Sequence, residues 1–168
     1  FDKHGNLYMG DMEKNAIIRV QQIPGHENLL RVLDSFDAED CCVAVFEFAA
    51  AGDLRSAIPA DGFLPRDELV SYLRDAAFAL DHLHSRELYH GDLNPSNLLL
   101  SGSRIKLADY GTLSDLHSRS GFGTPPYLPA DDRGGWRVDL YSLAVTYTEL
   151  RLGCVPNDVP KRLGGLSR

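Results

Sequence analysis

The stretch "LYHGDLNPSNLLL" at 88–100 limits the fold most. Leu88 and the run Leu98, Leu99 and Leu100 ask for burial, yet His90, Asp92 and Asn97 lie between them. A carboxylate does not enter an apolar interior without partners, so the segment reads as a polar turn carried between two buried strands. The next residues repeat the plan, with the turn "SGS", the apolar strand "RIKLA", and then Asp109 ahead of Gly111. A hairpin over these two strands returns Asp109 towards Asp92 and Asn97.

The rest of the chain supplies a mixed frame. Met12, Ala16, Ile17, Val20 and Ile23 recur at helical spacing, which predicts an amphipathic helix over 11–23 stopped by Pro24 and Gly25. Two strands are expected over 28–36 and 41–48, joined by the acidic turn "DAED". A longer helix starts near Pro65, with Asp67 and Glu68 in the first turn and an apolar face of Leu69, Leu73, Ala76, Ala77, Leu80 and Leu83. The segment 112–135 has no useful period, and a last helix runs from about Val138 to Leu152, with Gly153 just past its end. The fold class is α+β.

Composition removes several functions. Seventeen basic against 24 acidic side chains give a net charge of −7, with no Lys/Arg cluster, which argues against nucleic acid and anionic membranes. The longest apolar stretch, 41–52, is interrupted by Glu47 and is too short to span a bilayer. No signal peptide is visible, and the expected setting is the cytoplasm. Three cysteines without a CxxC are read as reduced, and the histidines share no metal spacing.

Phosphoryl transfer needs a carboxylate near the attacking hydroxyl, oxygen ligands for Mg²⁺, and a rigid platform for both. Asp92 meets the first need by orienting the nucleophile or accepting its proton. Asn97 and Asp109 meet the second as metal ligands. An H-x-D alone is a weak signal. The joint order H-x-D-x-x-x-x-N, leucine strand, turn, apolar strand, D-aromatic-G is a strong one.

On these residues the chain resembles a eukaryotic-type Ser/Thr protein kinase domain, of the bacterial eukaryotic-like class. His90-Gly91-Asp92 stands at the HRD motif, Asn97 at the catalytic-loop asparagine, and Asp109-Tyr110-Gly111 at DFG. The resemblance implies a helix αC with Glu13 as its ion-pairing glutamate, and Phe46 as gatekeeper. It also implies Glu47 and Ala49 as backbone contacts to adenine, Asp53 near the ribose and Leu99 beneath the adenine. "HGDL-x-P-x-N" is also similar to small-molecule kinases of the aminoglycoside and choline phosphotransferase type. "GFGTPPYLPADD" at 121–132 resembles a protein-kinase activation segment, and "VDLYSLAVTYTEL" resembles helix αF, whose leading Asp139 ties down the catalytic loop. These two favour the protein kinase, and Thr124 is then expected to pair with Asp92.

Departures from the pattern carry consequences. Gly91 replaces the arginine that receives an activation-loop phosphate, so ordering of that loop is expected not to depend on one, despite Ser114, Ser118 and Ser120. Asn94 stands where a lysine usually neutralises the γ-phosphate, and an amide there supplies no charge. Asp131 takes the place of a glutamate. No G-x-G-x-x-G precedes the first helix, and Lys3 lacks the apolar strand of an ATP-binding lysine.

The expectation is therefore a two-lobed protein kinase-like fold truncated at both ends, running from αC to αF. Its partial small lobe would be 1–48, its hinge 49–53, and its partial helical large lobe 54–168. The implied partners are ATP, Mg²⁺ and a protein substrate, the isolated piece being inactive for want of phosphate cover and lysine. A pseudokinase scaffold is the non-enzymatic alternative. His90 and Asp139 are expected to serve structure, with Tyr110, Ile17 and Val32 stacked in a column with His90, and Trp136 to serve packing.

Overall fold

The computed structural model describes residues 8–38, 41–59, 64–118, 122–130, 134–153 and 155, with only the backbone described at 8–11, 38 and 41. Lys3, Asp131 and Ser120 lie outside the described residues.

Helix α1 spans Tyr8–Gln22, followed by the antiparallel pair β1 (Val32–Ala38) and β2 (Cys41–Phe46). Helix α2 covers Arg66–His84 and leads into the short strand β3 (Leu88–Tyr89). A 3₁₀ turn at Pro95–Asn97 opens the hairpin of β4 (Leu98–Ser101) and β5 (Arg104–Leu107). Strand β6 (Ser114–Asp115) pairs antiparallel with β3, and α3 runs over Trp136–Leu152. The described residues form three two-stranded sheets among three helices, an α+β arrangement.

Local chemistry accounts for the start of α2 and the end of α3. Asp67 and Glu68 occupy the first turn of α2, where the exposed N–H groups favour acids. Gly153 ends α3 at φ 68°, donating its N–H to Glu149 O at 2.7 Å. The buried face of α2 carries Leu69, Ala76, Ala79, Leu80 and Leu83. Ala79 rather than Ala77 belongs to that face, because 77 lies 100° round the helix from 76. Only part of the expected α1 face is covered: Ala16, Ile17 and Val20 are buried and Met12 is exposed.

Two expectations shift. The strand predicted from 28 begins at Val32. The residues before it are tied to β5 instead, through Leu30 N–H to Leu107 O (2.9 Å), Leu107 N–H to Asn28 O (2.8 Å) and Asn28 Nδ2 to Ile105 O (3.1 Å). Trp136, read as a packing residue, is exposed at the start of α3, with the Arg137 guanidinium 5.1 Å from its ring centroid. One core joins all three helices, centred on Leu69, Leu80, Leu83, Leu93, Leu98 and Leu107.

Candidate active site

The turn at 90–97 is built around a buried carboxylate from another element. Asp139, near the start of α3 and fully buried, accepts the His90 N–H at 2.9 Å through Oδ2 and the Gly91 N–H at 2.8 Å through Oδ1. His84 Nε2, at the end of α2, meets the same Oδ2 at 2.7 Å. Buried N–H groups left unpaired are costly, so Asp139 makes this backbone path possible. Gly91 sits at φ 84°, a conformation that favours glycine, and a Cβ there would lie 3.2 Å from Thr112 O.

His90 ties the turn to the hairpin. Its ring is buried, with Nε2 3.0 Å from Ala108 O and Nδ1 accepting the Asp92 N–H at 3.3 Å, which fits the tautomer protonated at Nε2. The Tyr110 ring stands edge-on to it at 6.2 Å, and Ile17 belongs to the same core. Burial above all, and then the Glu47 charge, push the Tyr110 phenol well above its ordinary range, so it remains a donor to Leu30 O at 2.7 Å.

Asp92 is half-buried and held from several directions. Its Oδ1 accepts the Thr124 backbone N–H at 2.7 Å, its Oδ2 lies 3.3 Å from Asn97 Nδ2, and its carbonyl accepts Asn97 Nδ2 at 2.7 Å. The expected pairing of Thr124 with Asp92 thus runs through the Thr124 backbone. With its Nδ2 spent on the loop, Asn97 retains Oδ1 as a ligand atom. Asn94 is buried and caps the 3₁₀ turn, its Oδ1 accepting the Ser96 N–H at 3.0 Å and its Nδ2 donating to Asp92 O at 3.2 Å. The hairpin returns the second acid: Ala108 N–H donates to Asn97 O at 2.8 Å, and the next residue is the exposed Asp109, at φ 64°. Its Oδ1 accepts the Gly111 N–H at 3.2 Å. The Glu13 side chain reaches the same place, Cγ lying 3.4 Å from where a Gly111 Cβ would stand.

The Asn97 amide oxygen and the Asp109 carboxylate are oxygen donors of the hard kind that Mg²⁺ prefers. Among the described residues no group of His, Cys, Asp and Glu forms a separate metal cluster.

The expected nucleotide contacts lie on the connector that follows β2, residues 47–53, and on β4 beside it. Asp53 and Leu99 face each other in an antiparallel bridge, flanked by Leu100 N–H to Gly52 O at 2.8 Å and Leu54 N–H to Leu98 O at 2.9 Å. Asp53 Oδ1 also accepts the Ser56 N–H at 2.8 Å. The Glu47 side chain is engaged on β5 and the α1–β1 connection, accepting Lys106 Nζ and the Arg31 N–H, each at 2.8 Å. Its own N–H donates to Arg31 O at 3.0 Å. Partial burial opposes its ionisation, but Lys106 and the Arg31 N–H outweigh this and hold the carboxyl below its usual range. Ala49 is half-buried on the same connector.

Two contributors have no motif to announce them. His84 is one; the other is Thr112, whose Oγ1 donates to His90 O at 2.7 Å. Their signal is spatial, since each partner lies at least 22 positions away.

Residues 11–162 match the protein kinase domain family. The chain is 37% identical over 145 residues to the serine/threonine-protein kinase TIO of Arabidopsis thaliana, covering 78% of this chain and 11% of that protein. It is 32% identical over 155 residues to a calcium/calmodulin-dependent protein kinase kinase of Caenorhabditis elegans, covering 84% and 28%. It is 28% identical over 169 residues to Aurora kinase B of Xenopus tropicalis, covering 92% and 47%. The chain therefore spans between about a tenth and about a half of the length of these relatives. With the Asp92, Asn97 and Asp109 arrangement and a match through nearly its whole length, the chain belongs to the protein kinase domain family.

Proposed function

We propose that the protein containing this chain transfers the γ-phosphoryl group of ATP to Ser or Thr hydroxyls of proteins. The observation that carries this reading is the setting of Asp92. Its carboxylate is oriented by the Thr124 N–H at 2.7 Å and the Asn97 amide at 3.3 Å, and it stays half-exposed. Asp92 would take the proton of the incoming hydroxyl as the new O–P bond forms, while the ADP oxygen leaves in line. Asn97 and Asp109 would hold Mg²⁺, which supplies charge neutralisation to the phosphates when bound. Glu47 and Ala49 would meet adenine through their backbones, Asp53 the ribose and Leu99 the adenine face. Glu13, beside Gly111, would receive a lysine from the ATP-binding side. The family match favours a protein acceptor over a small molecule, and an ATP-consuming role goes with a cytoplasmic setting. Among the described residues no helix is long and apolar enough to cross a membrane.

Asn94 favours a second reading, a nucleotide-binding scaffold without transfer. Its amide is turned inward and leaves the 90–97 turn without a cation of its own. The full-length protein, incubated with labelled Mg·ATP and casein, separates the two readings when compared with Asp92→Asn and Asp109→Ala versions. Transfer to Ser or Thr that drops by about 10²-fold or more in both variants supports the kinase. Equal labelling in all samples would sink it, and nucleotide binding without labelling would establish the scaffold.

A further inference from the structure

Arg55 lies outside the motifs, on the turn that follows Asp53. Its side chain is 44% exposed, yet each guanidinium nitrogen has a partner. Nε donates to Ser96 Oγ at 2.9 Å, Nη1 to Glu149 Oε1 at 2.7 Å and Nη2 to Tyr127 Oη at 2.7 Å. The Tyr127 phenol in turn donates to the other Glu149 oxygen. The three partners come from the catalytic 3₁₀ turn, the turn at 124–127 and α3. A planar fork reaches three such acceptors at once; an ammonium at the same place does not. Burial first, and then Glu149, push Tyr127 up to about 12, which keeps the phenol a donor.

Both arms of the cluster end at Asp92. On one side, Ser96 lies in the 3₁₀ turn, whose Asn94 and Asn97 amides donate to Asp92 O at 3.2 and 2.7 Å. On the other, Tyr127 N–H closes the turn onto Thr124 O at 2.9 Å, and the Thr124 N–H donates to Asp92 Oδ1. The two turns also touch directly: a Cβ on Gly123 would stand 2.6 Å from Gly91 O. The cluster therefore bridges the two walls between which Asp92 is held, without touching Asp92 itself.

We propose that Arg55 is a positioning residue for the acceptor side of the site. It fixes the Thr124–Tyr127 turn against the catalytic turn, and thereby the orientation of Asp92 towards an incoming Ser or Thr hydroxyl. The proposal rests on the kinase reading for its catalytic consequence, while the clamp itself can be measured without turnover.

The test uses the full-length protein with Arg55→Ala and Arg55→Lys, assayed with Mg·ATP and casein, and in parallel by amide hydrogen exchange. In Arg55→Ala, kcat is expected to fall about tenfold or more, within the ~100-fold range that a 1 Å misplacement brings, with KM for ATP within about twofold. Arg55→Lys should recover only part of the rate. Exchange at the Ser96, Asn97, Thr124 and Tyr127 amides should quicken, and exchange in β1 and β2 should not. Unchanged exchange at these four amides overturns the proposal, as does a parallel loss of ATP affinity and of protection throughout. If the unsubstituted protein transfers no phosphate, the kinase reading falls, and the exchange pattern alone decides for or against the clamp.

Discussion

On the catalytic side, between His90 and Ala108, the contacts that fix the backbone are buried. Asp139, His90, Asn94 and Asn97 are each at most 9% exposed, and their polar atoms bond to main-chain groups. Across Tyr110, the unit of α1, β1 and β2 is tied at its margins by exposed ion pairs, Lys14 to Asp37 and Arg19 to Asp115. Its strands also leave Leu33, Phe36 and Val45 exposed, Leu33 being the extra residue of a bulge in β1. A buried polar group stripped of its partner cannot turn to water, whereas an exposed one can. The catalytic side should therefore be brittle to single substitutions, and the α1–β2 side tolerant.

The largest effect that would sharpen this contrast is Asp139→Ala. It strips acceptors from the buried His90 and Gly91 N–H groups and from His84, and should destabilise the full-length protein by about 3–5 kcal/mol in chemical denaturation. A loss below about 1 kcal/mol would break the comparison at its strongest point. Gly123→Ala comes next. Gly123 has φ 146°, and a new Cβ would meet Gly91 O at 2.6 Å and Leu128 Cδ2 at 2.7 Å. About 1–3 kcal/mol of strain is expected, read as faster proteolysis in the 122–130 segment with α2 still protected.

A smaller effect is expected at Glu47. Its carboxyl is held below the ordinary value of 4.5, so the ionised form stabilises the folded state above that pH. The contribution fades as pH falls through the lowered value. Glu47→Gln should therefore narrow the gap in thermal stability between pH 7 and pH 3.5, and an unchanged gap would remove Glu47 from the acid response. Smallest of all is Arg19→Ala, which cuts a two-pronged but exposed pair at 2.8 and 3.1 Å. Its loss should stay below about 1 kcal/mol in the same denaturation assay; a larger value would show that the α1 side is not tolerant.

Much of this frame is legible in the sequence because its causes are local. The period of 69, 76, 80 and 83 makes α2, the turn "SGS" makes the β4–β5 hairpin, and Gly153 stops α3. The site is partly legible for the same reason: Asp92 and Asn97 share one turn, and a single hairpin brings Asp109 back. β6 was not readable, since a two-residue strand carries no period and exists only through its pairing with β3. The misplaced start of β1 has a related cause. Leu29 and Leu30 are apolar enough for a strand, but β5 claims their backbone ahead of β2.

The sequence alone determined the helices, the hairpin and the order of Asp92, Asn97 and Asp109, because spacing and turn chemistry act over a few residues. Only the tertiary structure decided how that turn is supported: Asp139 beneath it with His84, Asn94 turned inward, and Arg55 joining it to Tyr127 and Glu149. His84 and Asp139 are 55 positions apart, and Arg55 and Glu149 are 94. Such pairs leave no periodic trace in the chain, since what joins them is the packing of the core and the need of buried polar groups for partners.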